Sequence, residues 1–270
     1  PATKVSPKEM LSVVDKPLVQ YAVEEALAAG IEDIIFVTSR GKAVMEDHFD
    51  RAPELEAALE ARGKHAELDM LAAMLPPEGR IMSVRQHAAL GLGHAVWCAR
   101  ELVGDEPFAV ILPDDLVHGA APCLAQMVEA YRETGGNLVG VMDVPRAETR
   151  RYGVLDPGVE RGRLVEVRGL VEKPAPEDAP STLTVIGRYI LQPEVFAHLG
   201  DKRAGAGGEI QLTDAMARLI GTMPFHGLRF EGTRYDCGDK LGFLKANIAL
   251  ALDRPDLGPG LRAFLRDLDI

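Results

Sequence analysis

The sequence predicts an α/β protein: a mixed, mostly parallel sheet flanked by helices, followed by a smaller β-rich region. Three observations carry this. Pro107-Phe108-Ala109-Val110-Ile111-Leu112 is apolar at every position and closed by Pro113, as a strand buried on both faces of a parallel sheet would be. Helical periodicity and short apolar runs alternate over residues 1–150, the pattern of right-handed βαβ crossovers. From Tyr152 onward the runs become short and β-like, divided by Pro, Gly and Asp.

Taken in order, the chain begins Pro1-Ala2-Thr3-Lys4-Val5, with no initiator Met and no preceding strand, and reads as truncated. Pro17 suits a first helical turn, Leu18, Tyr21, Ala22, Ala26 and Ala29 recur at helical spacing, and Gly30 stops the helix. Residues 33–38 read as a buried strand. Residues 43–75 are polar and rich in Ala and Glu; Leu55, Leu59, Leu68 and Leu71 fit one or two amphipathic helices broken near Gly63, an insertion suited to a lid or subunit contact. Residues 80–86 alternate like a strand, and Gly91-Leu92-Gly93 opens a helix carrying Val96, Ala99 and Leu102. A helix over 121–134 and a strand over 137–144 follow the Phe108 strand. Short strands at 152–155, 163–172 and 184–191 are expected to be antiparallel and to pack on the first sheet. Residues 209–215 open a helix, 225–231 form a strand, Tyr235-Asp236-Cys237-Gly238 precedes a helix over 240–252, and 257–270 form a separate amphipathic helix. The expected organisation is therefore an α/β part at 1–150 with its helical insertion at about 43–75, a second, β-rich part at 151–252, and a C-terminal helix at 253–270.

Composition narrows the partners. With 270 residues, 47% of them hydrophobic, the chain can bury a large core. A formal charge of −11 argues against nucleic acid or an anionic membrane as partner. One Trp and five Tyr give no stacking platform for single strands. Cys98, Cys123 and Cys237 are odd in number and lack metal-ligand spacing, which points to a reduced, cytoplasmic protein. No apolar run reaches the length of a membrane span, and no signal-peptide pattern is present.

Several small constellations carry candidate chemistry, and each has an ordinary reading beside it. Asp114 and Asp115 leave the core where an α/β sheet offers a cleft, which suits Mg²⁺ carrying phosphates or an Asx-type turn. Asp236 is a second acid at a strand exit, able to complete a metal site with Asp114 or to serve a turn. Gly91 and Gly93 lack the third glycine of a dinucleotide fingerprint, since position 96 is Val; they let the backbone reach a flat base, with Gln86 offering an amide, or simply make a tight turn. Glu172-Lys173-Pro174 sets an acceptor and a cation side by side, on opposite faces if extended, for a sugar phosphate or as a solvated edge. Lys4 and Lys8 read equally as a phosphate clamp or a solvated basic loop, and His94 as a capping or core residue. No nucleophile elbow supports covalent catalysis.

Together these pieces resemble the bacterial UTP:glucose-1-phosphate uridylyltransferase family of sugar nucleotidyltransferases. The matching runs, in family order, are Pro1-Ala2-Thr3-Lys4, Pro7-Lys8-Glu9-Met10-Leu11, Val14-Asp15-Lys16-Pro17-Leu18, Val84-Arg85-Gln86 through Gly91-Leu92-Gly93-His94-Ala95, Val110-Ile111-Leu112-Pro113-Asp114-Asp115, Tyr152-Gly153-Val154, Val171-Glu172-Lys173-Pro174, Gly208-Glu209-Ile210-Gln211-Leu212-Thr213-Asp214-Ala215 and Tyr235-Asp236-Cys237-Gly238. The family's G-x-G-T-R phosphate loop and first strand would precede Pro1 and are not in this sequence. The resemblance implies a Rossmann-like nucleotidyltransferase fold and uridylyl transfer from UTP to glucose 1-phosphate, giving UDP-glucose and pyrophosphate. It implies Mg²⁺ on Asp114 and Asp236, with Lys8 on the nucleotide phosphates and Lys173 on the sugar phosphate. Glu9, Gln86 and Gly91 correspond to the uracil end, and Gly153, Glu172, Val185 and Glu209 to the glucose side; Asp115 is a less certain ligand than Asp114. A thymidylyltransferase of the same fold and a non-catalytic nucleotide-sugar-binding subunit are the alternatives. The acidic insertion and the C-terminal helix suggest a homodimer or homotetramer.

Overall fold

The computed structural model describes residues 6–268. Lys4 and the rest of the Pro1–Val5 run lie outside the described residues, as do the last two.

A six-stranded sheet forms the centre, ordered Phe108–Ile111, Leu183–Leu191, Asn137–Asp143, Phe225–Arg229, Leu164–Glu172 and Gly153–Arg161. Both faces are covered, so its central strands are apolar nearly throughout. Consecutive residues of a strand point to opposite sides. Val139 and Val141 enter one cluster with the helices Leu92–Cys98, Val195–Gly200 and Leu212–Ala217, whereas Leu138 enters a second with Leu18–Ala28 and Cys123–Thr134. Leu183–Leu191 is buried at every position for the same reason.

The α/β class, with a mixed sheet and flanking helices, is as expected, but the balance of strand directions is not. Among the described pairings only Phe225–Arg229 with Asn137–Asp143 and Ile34–Thr38 with Ile81–Arg85 are parallel; the other ladders are antiparallel. The reason is Leu183–Leu191, which inserts between Phe108–Ile111 and Asn137–Asp143 and runs against both. Phe108–Ile111 is consequently half-buried and antiparallel-paired, rather than a fully covered parallel strand. The strands after residue 152 join this sheet edge-on instead of packing on its face.

Elsewhere local chemistry sets the boundaries. The helix Leu18–Ala28 ends in a Schellman arrangement: Gly30, at φ +83°, donates its N–H to Leu27, and the Ile31 N–H donates to Ala26. The insertion resolves into three helices, Val44–Asp47, Pro53–Glu60 and His65–Met74, with Gly63 at φ +66° breaking the last two. Those last two bury no residue. The region expected as one helix over 91–102 is two, Leu92–Cys98 and Arg100–Val103. A two-stranded ladder, Asp115–His118 against Thr233–Asp236, lies beside the helix Lys240–Asp253 over a small core of Val13, Leu18, Leu116, Cys237, Ala246 and Leu250. Gly258–Asp267 forms the last helix. Among the described residues no helix is long and apolar enough to cross a membrane.

One ion pair is sealed within this framework. Arg188, 1% exposed, donates to both carboxylate oxygens of Glu25 at 2.9 and 2.8 Å and to the carbonyls of Leu112 and Gly187. Glu25 also accepts from the Leu124 N–H. Removing one partner leaves a buried charge without compensation, so Glu25→Ala is expected to lower unfolding free energy by about 3–5 kcal/mol. The apolar double replacement Glu25→Leu/Arg188→Met is expected to cost far less, a contrast measurable by urea denaturation.

Candidate active site

The site is assembled at strand ends. Asp114 stands three residues beyond the end of Phe108–Ile111, and Asp236 is the last residue of Thr233–Asp236. The ladder sets Asp236 opposite Asp115, and the Cys237 N–H donates to the Asp114 carbonyl at 2.7 Å. Two acids 122 residues apart in sequence thus share one corner. A methyl built on Gly238 would lie 3.1 Å from Asp114 Oδ2 and 3.1 Å from Asp236 Oδ1. The two oxygens therefore converge on a small space beside Gly238 that a side chain there would crowd.

Such convergence requires cations nearby. Lys8, in the 3-10 turn Lys8–Met10, places Nζ 2.5 Å from Asp114 Oδ2. Burial works against its charged form, but the hydrogen bond and charge of Asp114, with Glu9 and Asp236 beyond, outweigh it and hold the Lys8 pKa above its ordinary value. Arg151 reaches Asp236 Oδ2 at 3.2 Å. Burial pushes the Cys237 thiol up to about 12, Asp114 and Asp236 adding to the effect, which makes it an inert neighbour. Among the described residues no three metal-ligating side chains cluster; the donor set here is two carboxylates.

Glu172 and Lys173 do not lie on opposite faces. Lys173 leaves the strand at φ +47° and folds back, so that its Nζ is 3.2 Å from Glu172 Oε1. Gly153 stands opposite Glu172 in the ladder; a methyl on it would lie 3.1 Å from Thr213 Oγ1 and 3.4 Å from Glu172 Oε2. The neighbouring Asp214 has its pKa raised by burial and by the Glu172 charge. Residues 151–153 join this group to the acid pair: Arg151 contacts Asp236, the Tyr152 hydroxyl accepts from Arg234 at 3.0 Å, and the Tyr152 carbonyl accepts the Lys173 N–H.

A third group lies at the start of the helix Leu92–Cys98. Gly91 has φ +98°, and a methyl there would come within 2.7 Å of Glu209 Cβ and 2.9 Å of the Ile210 carbonyl. Its glycine identity is thus required by backbone conformation and by the close passage of residues 209–210, as well as by anything it reads. Gln86 donates through Nε2 to the Gly91 carbonyl at 3.1 Å and lies 3.0 Å from His94 Nδ1. Burial, helped by the Lys202 charge, lowers the His94 pKa, in keeping with a neutral ring accepting at Nδ1. Glu209 is exposed beside Gly91, and Thr213 sits beside Gly153, so residues 209–213 bridge the two groups.

Two expected residues differ in kind from the rest. Glu9 is buried and bonded through Oε1 to Lys42 at 2.7 Å, with Oε2 buried and without a partner. Val185 is 6% exposed, opposite Val141 in the main apolar cluster. Sequence reasoning missed Lys42, Arg151, Thr213 and Arg234. Arg234 had a signal: two positions before Asp236 in an extended strand, it shares that residue's side of the ladder. Lys42, 33 residues from Glu9, had none.

Comparison with known proteins shows the family. Residues 1–251 match the nucleotidyl transferase family. The chain is 54% identical over 245 residues to a UTP–glucose-1-phosphate uridylyltransferase of Komagataeibacter xylinus, covering 91% of this chain and 86% of the relative. A UTP-bound UGPase from Acinetobacter baumannii superposes with a TM-score of 0.90 at 40% identity, covering 99% of this chain and 94% of that one. A UDP-glucose pyrophosphorylase complexed with UDP-glucose gives 0.82 at 40% identity, covering 94% of each. An identity of this size over nearly the whole length, with the acids and lysines gathered as described, means that the chain belongs to the nucleotidyl transferase family.

Proposed function

We propose that this chain transfers the uridylyl group of UTP to glucose 1-phosphate. A phosphate oxygen of the sugar phosphate attacks the α-phosphorus of UTP in line; the bond from that phosphorus to the bridging oxygen breaks, and pyrophosphate leaves with its electron pair. UDP-glucose is the other product. The observation that carries the reading is the convergence of Asp114 and Asp236 on one space, with Lys8 beside it.

No protein nucleophile is needed, and the Cys237 thiol beside the acids stays protonated. The chain's part is placement and charge, which together supply several kcal/mol in such reactions. Asp114 and Asp236 fit Mg²⁺, a cation that takes one or two carboxylates and fills its remaining positions with water and phosphate oxygens. When bound there, the ion neutralises charge on the phosphates. Lys8 serves the nucleotide phosphates and Lys173 the sugar phosphate. Glu172 accepts from sugar hydroxyls, and Gly153, Val185 and Glu209 shape that side.

At the base end, Gln86 spends its amide nitrogen on Gly91 and His94, leaving its oxygen to accept. An acceptor suits the N3–H of uracil and rejects cytosine, which has no proton at that position; Glu9 lies in the same nucleotide half. Thymine also carries that N3–H, so Gln86 does not separate UTP from dTTP. Exposed Leu241, Leu244 and Ile248 on one C-terminal helix, Phe264 on the next and Leu268 just past its end support a homo-oligomer, as a homodimer or homotetramer.

Asp114→Ala and Asp236→Ala are each expected to lower turnover by about 100-fold or more with little change in melting temperature. Near-normal Mg²⁺-dependent activity in either variant would remove that residue from the mechanism. Steady-state rates with glucose 1-phosphate are expected to be clearly higher for UTP than for CTP, and equal rates would undo the base assignment.

A further inference from the structure

Arg234 is the least exposed cation near the acid pair, its side chain only 9% accessible. Its Nε donates to Asp115 Oδ1 at 2.8 Å, Nη2 donates to the same oxygen, and Nη1 donates to the Tyr152 hydroxyl at 3.0 Å. Nη2 also lies 3.6 Å from Asp236 Oδ2. Asp115 in turn accepts the Gly187 N–H at 2.6 Å through its other oxygen. Gly187 is forced to be glycine, since a methyl there would fall 2.6 Å from Leu112 Cβ and 2.9 Å from Asp115 Oδ2.

These contacts form one chain of bonds. Gly187 holds Asp115, Asp115 holds Arg234, and Arg234 faces Asp236 while gripping Tyr152. Each link touches a different strand: the middle of Leu183–Leu191, the start of Asp115–His118, Thr233–Asp236, and the residue just before Gly153–Arg161. Two effects of Arg234 on Asp236 oppose each other. Its positive charge disfavours a divalent ion nearby, whereas its guanidinium, braced by Asp115 and Tyr152 and standing 3.6 Å from Asp236 Oδ2, bounds on one side the space that carboxylate can take. Position outweighs charge, because Asp115 bonds Arg234 more closely than Asp236 approaches it and cancels most of its field.

We infer that Arg234 is a positioning residue, holding Asp236 in register with Asp114 for a divalent cation through its buried pair with Asp115. The inference rests on the proposed role of Asp236 as a metal ligand. It also assigns Asp115 to bracing instead of ligation, since both its oxygens are engaged within the protein.

The test is Mn²⁺ titration of the full chain in the presence of UDP-glucose, followed by electron paramagnetic resonance, with UDP-glucose affinity in EDTA and thermal melting measured alongside. Arg234→Ala is expected to weaken Mn²⁺ binding at least tenfold with metal-free UDP-glucose affinity within about twofold of the parent. Arg234→Lys keeps the charge but cannot span Asp115 and Tyr152 together, and is expected to lose affinity by a smaller factor. Asp115→Asn frees Arg234 to settle on Asp236 and is expected to weaken Mn²⁺ binding as strongly as Arg234→Ala; these two conservative variants carry the test should Arg234→Ala fail to fold. Unchanged or tighter Mn²⁺ binding in the folded variants, even with a lowered melting temperature, would overturn the inference and leave Arg234 a structural residue. Asp236→Ala separates the two claims: if it still binds Mn²⁺ normally, the metal-ligand reading itself fails, whereas if it loses Mn²⁺ while the Arg234 variants keep it, only the positioning role fails.

Discussion

Carboxylates held a few ångströms apart repel one another by roughly 4 kcal/mol at an effective dielectric near 20, so an acid cluster in a half-buried cleft exists only where cations are packed with it. Asp114, Asp115 and Asp236 meet under that constraint. The fold answers it in two different ways. Asp115 is given a permanent partner, Arg234, with both carboxylate oxygens engaged and both side chains largely shielded from solvent. Asp114 and Asp236 are given Lys8 and Arg151, which are far more exposed. One acid is thereby committed to the framework, and two remain able to change partners.

The framework behind them is built to hold the Leu112–Asp115 turn from several directions. The Leu112 N–H donates to the Gly187 carbonyl, Arg188 donates to the Leu112 carbonyl, and the Gly187 N–H donates to Asp115. Arg188 draws its fixity from Glu25 on the helix Leu18–Ala28, which links that helix to the far side of the acid corner. The register of Leu183–Leu191 shifts between Val185 and Tyr189, where Gly187 and Arg188 serve the turn. A local irregularity in one strand thus sets the position of chemistry carried by another.

What the sequence disclosed follows from range. The helix ending at Gly30, the strand ending before Asp114, the turn at Gly91 and the exit at Asp236 each have their cause within a few residues, and each was readable. Strand direction was not, because nothing local in Leu183–Leu191 says that it inserts between two earlier strands and opposes both. The Lys173 conformation escaped for another reason: a lysine at φ +47° is not announced by its residue type. Lys42 and Arg188 find their acids across distances in sequence that no pattern connects. The acids of the site were therefore legible while most of their counter-cations were not.

That pairing bears on how a protein of net charge −11 can accept two anions. Every lysine assigned to phosphate already holds a carboxylate: Lys8 holds Asp114, and Lys173 holds Glu172. The lysine end of each pair is about half exposed and its carboxylate largely buried, so the pair is cheap to exchange only if the released acid finds a new partner. On the proposed reaction it does. Were Asp114 to hold a divalent cation, Lys8 would be free for the nucleotide phosphates, and were Glu172 to accept sugar hydroxyls, Lys173 would be free for the sugar phosphate. Phosphate binding at each lysine is then coupled to what its carboxylate receives, and a phosphate lacking the right companion meets a cation that is still occupied. On that reading, selectivity for a complete pair of substrates would rest on ion pairs already in place within the cleft.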